Sequence, residues 1–276
     1  MAFSRDMRWM GLVCAGFMVL SAAIPSPARL SLKSASVLVL DQMSGQALLE
    51  KQAGAVVPIA SLTKLMTAMV LLDAHLDPSE LLTITADDKD DLRHSRSRLP
   101  VGTRLPREQA LLLALLASEN RAAHALGRTF PGGLPAFVLA MNAKATELGL
   151  SGSRFEDPTG LSSGNVATAW DLARIIEAAY RYPEIRDFST RPQTTLQSGR
   201  HSIQFPNTNV FVRNPHWNIG LSKTGYIEEA GRCLVMQAML ANRPVLVILL
   251  DSWGKYTRLG DAIRIKQWME ARLGSR

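Results

Sequence analysis

The chain predicts an α/β (α+β) fold, with an antiparallel sheet, helices on both its faces and a mainly helical subdomain. Three observations carry this. Strand patterns come first, helical patterns fill the middle, and strand patterns return before a closing helix, so both ends of the chain build the sheet. Leu234 to Leu240 and Val245 to Leu250 are almost continuously apolar, as strands covered on both faces are. Pro58 to Leu72 has a helical pattern apolar on nearly every side, the mark of a buried helix.

The 276 residues suffice for one sizeable domain with an inserted lobe. An apolar content of 47% argues against disorder. The formal charge of +7 is scattered rather than gathered into basic runs, which excludes a nucleic-acid binder and suits an enzyme working on anionic polymers.

Arg5 and Arg8 precede an apolar stretch from Trp9 to Ile24, which ends in the small residues Ser26-Pro27-Ala28. That stretch falls short of the ~20 residues of a mature membrane span. Residues 1–28 are therefore expected to be a signal peptide, with an uncleaved anchor as the alternative, and residues 29–276 the catalytic domain. Cys14 lacks a lipobox-like pattern and is not expected to carry a lipid. One cysteine then remains, Cys233, in an apolar strand pattern that makes it a buried structural thiol. Export and a cationic surface point to the periplasm.

Ala35 to Leu40 and Gln46 to Lys51 flank a glycine turn and predict a hairpin. The buried helix follows, to about His75. Leu81 to Ile84 is extended, and Asp87 to Arg98 is charged and irregular. Helices are expected over Arg107 to Ala117, Asn120 to Arg128 and, past Pro131-Gly132-Gly133, Leu134 to Leu148. The helical subdomain spans roughly 85–165. Phe155 to Asn165 is a loop by its turn chemistry. Thr168 and Asp171 form a capping box for a helix through Tyr180. Gln193 to Gln197 and Asn209 to Arg213 read as extended, and Ile219 to Ile227 as a strand. The closing helix, Leu259 to Leu273, places Leu259, Ile263, Met269 and Leu273 on one side.

Three stretches carry chemistry: Ser61-Leu62-Thr63-Lys64, Ser118-Glu119-Asn120 and Lys223-Thr224-Gly225. Each alone has a bland reading, as a helix cap, a turn or a strand end. Together they form the triple shared by class A β-lactamases and penicillin-binding proteins, with Glu119 where that pattern has aspartate. Ser61 and Lys64 are three residues apart on a helix and should face the same way. A serine hydroxyl needs an adjacent base. Burial, with Lys223 as a second cation, would push the Lys64 amine toward its neutral form. Ser118 can pass a proton to the leaving amine, and the Asn120 carboxamide can hold Lys64 and the substrate backbone. Ser61 and Tyr226 are the candidate backbone N–H donors for an oxyanion. Thr224 would bind a substrate carboxylate, and Gly225 would let the substrate approach the strand.

With these motifs, Ala60 to Met69, Ser118 to Ala123, Asp157 to Leu161 and Lys223 to Tyr226 resemble the low-molecular-mass penicillin-binding proteins of the D-alanyl-D-alanine peptidase family. Gly231 to Met236 and Gly254-Lys255-Tyr256 resemble its endopeptidase subgroup, the penicillin-binding protein 7 type. The resemblance implies a penicillin-binding, β-lactamase-like transpeptidase fold. It implies cleavage of D-alanyl–diaminopimelyl cross-links between peptidoglycan stem peptides, with β-lactam antibiotics as covalent inhibitors. It also leaves room for peripheral association with other cell-wall enzymes.

D-alanyl-D-alanine carboxypeptidase is the alternative activity. A β-lactamase would need a deacylating base; Glu156 lies in the loop where one is sought, and a solvated loop carboxylate is expected there instead. A catalytically silent muropeptide-binding protein conflicts with the intact Ser61, Lys64, Ser118 and Asn120. The five histidines show no metal-ligand spacing, so neither a metal nor a cofactor is expected. His216-Trp217 would line the cleft or pack.

Overall fold

The computed structural model describes residues 30–198 and 201–273. The expected signal peptide lies outside these residues. None of the described helices is long and apolar enough to cross a membrane.

In chain order, β1 (Ser34–Asp41) and β2 (Ala47–Lys51) form the expected hairpin, with Gly45 at φ +69° in its turn. The two-residue strand β3 (Val57–Pro58) leads through a single tight turn, Ala60–Thr63, into helix α1 (Lys64–Asp73). Residues 64–71 of α1 are buried on every side, as its sequence predicts. Two short strands, β4 (Leu81–Thr83) and β5 (Arg104–Pro106), pair across the irregular charged segment. Helices α2 (Arg107–Leu116), α3 (Asn120–Arg128) and α4 (Gly133–Glu147) follow. After the loop, β6 (Val166–Ala167) pairs with β3, and Thr168 caps α5 (Ala169–Ala179) by accepting from Asp171 N–H. Helix α6 (Pro183–Thr190) and the hairpin of β7 (Gln193–Ser198) and β8 (His201–Pro206) lead to β9 (Asn218–Ile227), β10 (Gly231–Leu240), β11 (Arg243–Ser252) and α7 (Thr257–Leu273).

The main sheet is antiparallel throughout, in the order β2-β1-β11-β10-β9, so first and last strands are neighbours and β9 is an edge. Alternate residues serve two cores. Val37, Val39, Val245, Val247 and Leu249 face α7, which contributes Ala262, Ile265 and Met269. Leu38, Leu40, Leu246, Ile248 and Leu250 face the helical layer that contains α1 and α5. Double coverage is why β10 and β11 show no polar alternation.

Two expectations are corrected. Asn209 to Arg213 is not extended: Val210–Arg213 is a short 3₁₀ turn, capped by the Asn209 carboxamide accepting from Phe211 N–H. Its Phe211 ring is buried against Trp217, with centroids 4.3 Å apart. On α7 the buried stripe is Ala262, Ile265 and Met269, while Ile263 is exposed.

Candidate active site

The chain reaches Ser61 through a constrained entry. Ile59 N–H donates to Asn165 O at 3.0 Å. Ala60 then takes φ +48°, which is strained for a residue with a Cβ. Thr63 Oγ1 donates back to Ala60 O at 2.8 Å. Ser61 is half-buried at the mouth, and Lys64 opens α1 with 1% exposure.

Lys64 Nζ donates to Ser61 Oγ at 2.9 Å, to Asn120 Oδ1 at 2.8 Å and to Thr159 O at 2.6 Å. These acceptors match the three donors of an ammonium group. Full burial nevertheless pushes its pKa from 10.5 down to about 7, against the opposing pull of Asp157, Glu119 and Asp90. Burial is the leading cause of that depression. Lys223 is itself held well below its ordinary value, by burial first and then by Lys64 and Arg258.

The third acceptor, Thr159 O, comes from the loop after α4, which is organised by Asp157. That carboxylate accepts from Thr159 N–H at 2.6 Å, Gly160 N–H at 2.8 Å, Ser162 N–H at 2.9 Å and Asn165 Nδ2 at 2.6 Å. Gly160 adopts φ +80°, and a Cβ there would stand 2.0 Å from Ala60 O and 2.9 Å from Ser61 N. Only glycine lets the loop close on the serine turn. The sequence points to the loop, but a backbone carbonyl leaves no residue type by which to recognise it as a lysine acceptor.

The middle motif joins α2 to α3. Ser118 sits at φ +58°, a second strained position, and its Oγ accepts from Lys223 Nζ at 2.8 Å. Asn120 begins α3 and divides its carboxamide: Oδ1 faces Lys64, and Nδ2 donates to Ser95 Oγ at 2.8 Å. Ser95 carries no signal in the sequence, because it lies in the charged, aperiodic stretch. Glu119 caps α3 by accepting from Arg121 N–H at 3.4 Å, so its carboxylate serves the helix end.

The third motif lies on the edge strand β9. Thr224 Oγ1 donates to Thr208 Oγ1 at 2.7 Å. A Cβ on Gly225 would fall 3.0 Å from Ile59 O and 3.1 Å from Ser61 N, so this strand packs directly on the serine turn. Arg258, at the start of α7, reaches through to donate to Gly225 O at 2.9 Å and Cys233 O at 3.0 Å. Tyr226 is 55% exposed, with the Arg232 guanidinium 4.4 Å above its ring.

Six of the eight sequence candidates meet around the serine turn, Ser61, Lys64, Ser118 and Asn120 from the helical side and Lys223 and Gly225 from the sheet, while Thr224 and Tyr226 flank Gly225 on β9. Such a site can hold a neutral amine against a hydroxyl and line an extended peptide along β9. Glu156 is exposed and engaged by Arg154 and Ser162 Oγ, the latter at 2.6 Å. Trp217 packs on Phe211. Cys233 is buried, and burial pushes its thiol up to about 11.

Residues 21–253 match the family model described as D-alanyl-D-alanine carboxypeptidase. The chain is 46% identical to a D-alanyl-D-alanine endopeptidase of Pseudomonas aeruginosa over 246 residues, covering 88% of this chain and 79% of that one. It is 40% identical to the D-alanyl-D-alanine endopeptidase of Escherichia coli over 252 residues, covering 91% and 81%. Among solved structures it resembles a Streptomyces DD-transpeptidase, with a TM-score of 0.80 at 26% identity, covering 87% of this chain and 98% of that one. The fold, the cleft and the extent of these matches agree: the chain belongs to the D-alanyl-D-alanine carboxypeptidase family of serine peptidases.

Proposed function

We propose that this chain is a serine D,D-endopeptidase that hydrolyses D-alanyl–diaminopimelyl cross-links between peptidoglycan stem peptides. The observation that carries the reading is the buried Lys64 amine hydrogen-bonded to Ser61 Oγ at 2.9 Å. Lys64, in its neutral form, takes the Ser61 proton as Oγ attacks the D-alanyl carbonyl. The Ser61 and Tyr226 N–H groups receive the oxyanion. The C–N bond breaks, and the leaving amine takes its proton from Lys64 by way of Ser118. Water then releases the acyl group and restores Ser61. Asn120 holds Lys64, while Lys223 and Thr224 receive the leaving group's carboxylate and Gly225 admits its backbone.

The endopeptidase reading is supported by the relatives at 46% and 40% identity, both named endopeptidases. Carboxypeptidase is the second reading, favoured by the family description and by a Bacillus subtilis relative of that name at 27% identity. β-Lactams would acylate Ser61 and leave slowly, since Glu156 is tied to Arg154 and Ser162 rather than aimed at the serine.

Export to the periplasm by residues 1–28 completes the proposal. Residues 29–276 form the catalytic domain, and the segment near 85–165, which holds α2, α3 and α4, forms its helical lobe. Intact-mass spectrometry after incubation with benzylpenicillin tests the nucleophile. A covalent adduct on the parent and none on Ser61→Ala is the expected result; equal labelling of both contradicts it.

A further inference from the structure

Arg93 ties the loop after α4 to the turn after β9. Its Nε donates to Leu161 O at 2.5 Å, on the loop whose Gly160 abuts Ala60 O. Its two terminal nitrogens meet the Glu229 carboxylate at 2.8 and 2.9 Å. Glu229 lies in the turn just after β9, the strand whose Gly225 abuts Ser61 N. Arg93 thus links the two segments that close on the serine turn. Its backbone is held too: Asp90 accepts from Leu92, Arg93 and Ser95 N–H at 3.1, 2.9 and 2.9 Å, and Ser95 Oγ accepts from Asn120.

We infer that Arg93 is a specificity-determining residue that binds the side-chain carboxylate of the acyl-donating stem peptide, displacing Glu229. The inference rests on the proposed function and extends it. With the leaving group at Lys223 and Thr224, the acyl side of the substrate runs past Gly225 along the unpaired edge of β9. From Gly225 to Ile227 the strand advances about 7 Å, the reach of one substrate residue and its side chain. A diaminopimelyl residue preceding D-alanine carries a free carboxylate at the end of that side chain. It would arrive at the turn after β9, where Arg93 meets Glu229.

Exchange is easy in this geometry. The Leu161 contact fixes the guanidinium whichever carboxylate it holds, and its fork fits any carboxylate bidentately. Glu229 is 48% exposed, so it can return to water without being left buried and unpaired. Arg93, at 21% exposure, stays seated. Glu229 is the internal stand-in for the substrate.

The test uses cross-linked tetrapeptide dimers in which the donor diaminopimelyl carboxylate is either free or converted to a carboxamide. Arg93→Gln should raise KM for the free acid about fivefold or more, to the value for the amide. Glu229→Gln should lower KM for the free acid about twofold or more, by removing the competitor, and leave the amide unaffected. A purely structural tie predicts the same direction for both variants. That outcome, or equal responses of acid and amide, overturns the inference. A parent that neither takes penicillin nor cleaves either dimer removes the proposed function itself, and this inference with it.

Discussion

Lys64 Nζ lies 2.9 Å from Ser61 Oγ, and burial brings that amine to a pKa of about 7. An exposed lysine would be almost wholly protonated at neutral pH and a poor base. At this position a large fraction of the amine is neutral.

The sign of the pH dependence follows. The base form is the deprotonated one, so acylation by penicillin should rise as pH passes through about 7 and then level off. Rapid-quench measurement of the acylation rate, from about one unit below that value to about two units above it, checks this. A rate that falls over the same range contradicts the assignment of the base.

Lys64→Ala should lower the acylation rate about 10³-fold or more, because nucleophile and base act as a unit. The same kinetics read it out, and a rate within a few-fold of the parent sinks the assignment.

Lys64→Met, which leaves a similar volume without the charge, has a pH-dependent effect on stability. Lys64 is depressed in the folded chain, so between about 7 and 10.5 the unfolded chain binds more protons and the parent gains stability as pH rises. That contribution is lost as pH falls toward 7. The stability of Lys64→Met relative to the parent should therefore be greatest on the acid side, as read by urea melts at several pH values.

Gly160→Ala should be severe. Its Cβ would collide with Ala60 O at 2.0 Å, and its φ of +80° disfavours any side chain. A loss above about 2 kcal/mol in a urea melt, together with loss of penicillin labelling, is expected.

Ser95→Ala removes the acceptor for Asn120 Nδ2 while leaving every motif intact. A net hydrogen bond of about 1 kcal/mol corresponds to roughly a fivefold slower acylation. An unchanged rate would show that Lys64 and its other partners hold Asn120 without help.

Much of the fold was legible because the sheet is covered twice. Val245 to Leu250 has no polar alternation, and Leu246 and Val247 prove to face different cores. The apolar surround of Lys64 likewise gave away both the burial and the chemistry. Helix α6 is hard to read from sequence: Pro183 at its first position is a start signal, but the whole helix is only eight residues long. Asn209 to Arg213 reads as extended because Val210-Phe211-Val212 has strand composition, and packing on Trp217 overrides it. The motifs can be placed together because each carries side chains with a chemical identity. Thr159 O could not, and Ser95 and Arg93 lie in a segment shaped by Asp90 rather than by any periodicity.

The central claim is that this cleft cuts cross-links through Ser61. Its most direct test is mass spectrometry of purified cross-linked muropeptide dimers after incubation with residues 29–276 and, separately, with the Ser61→Ala variant. The account predicts monomers from the parent and intact dimers from the variant. Dimers that only lose a terminal D-alanine, or monomers produced equally by Ser61→Ala, would contradict it.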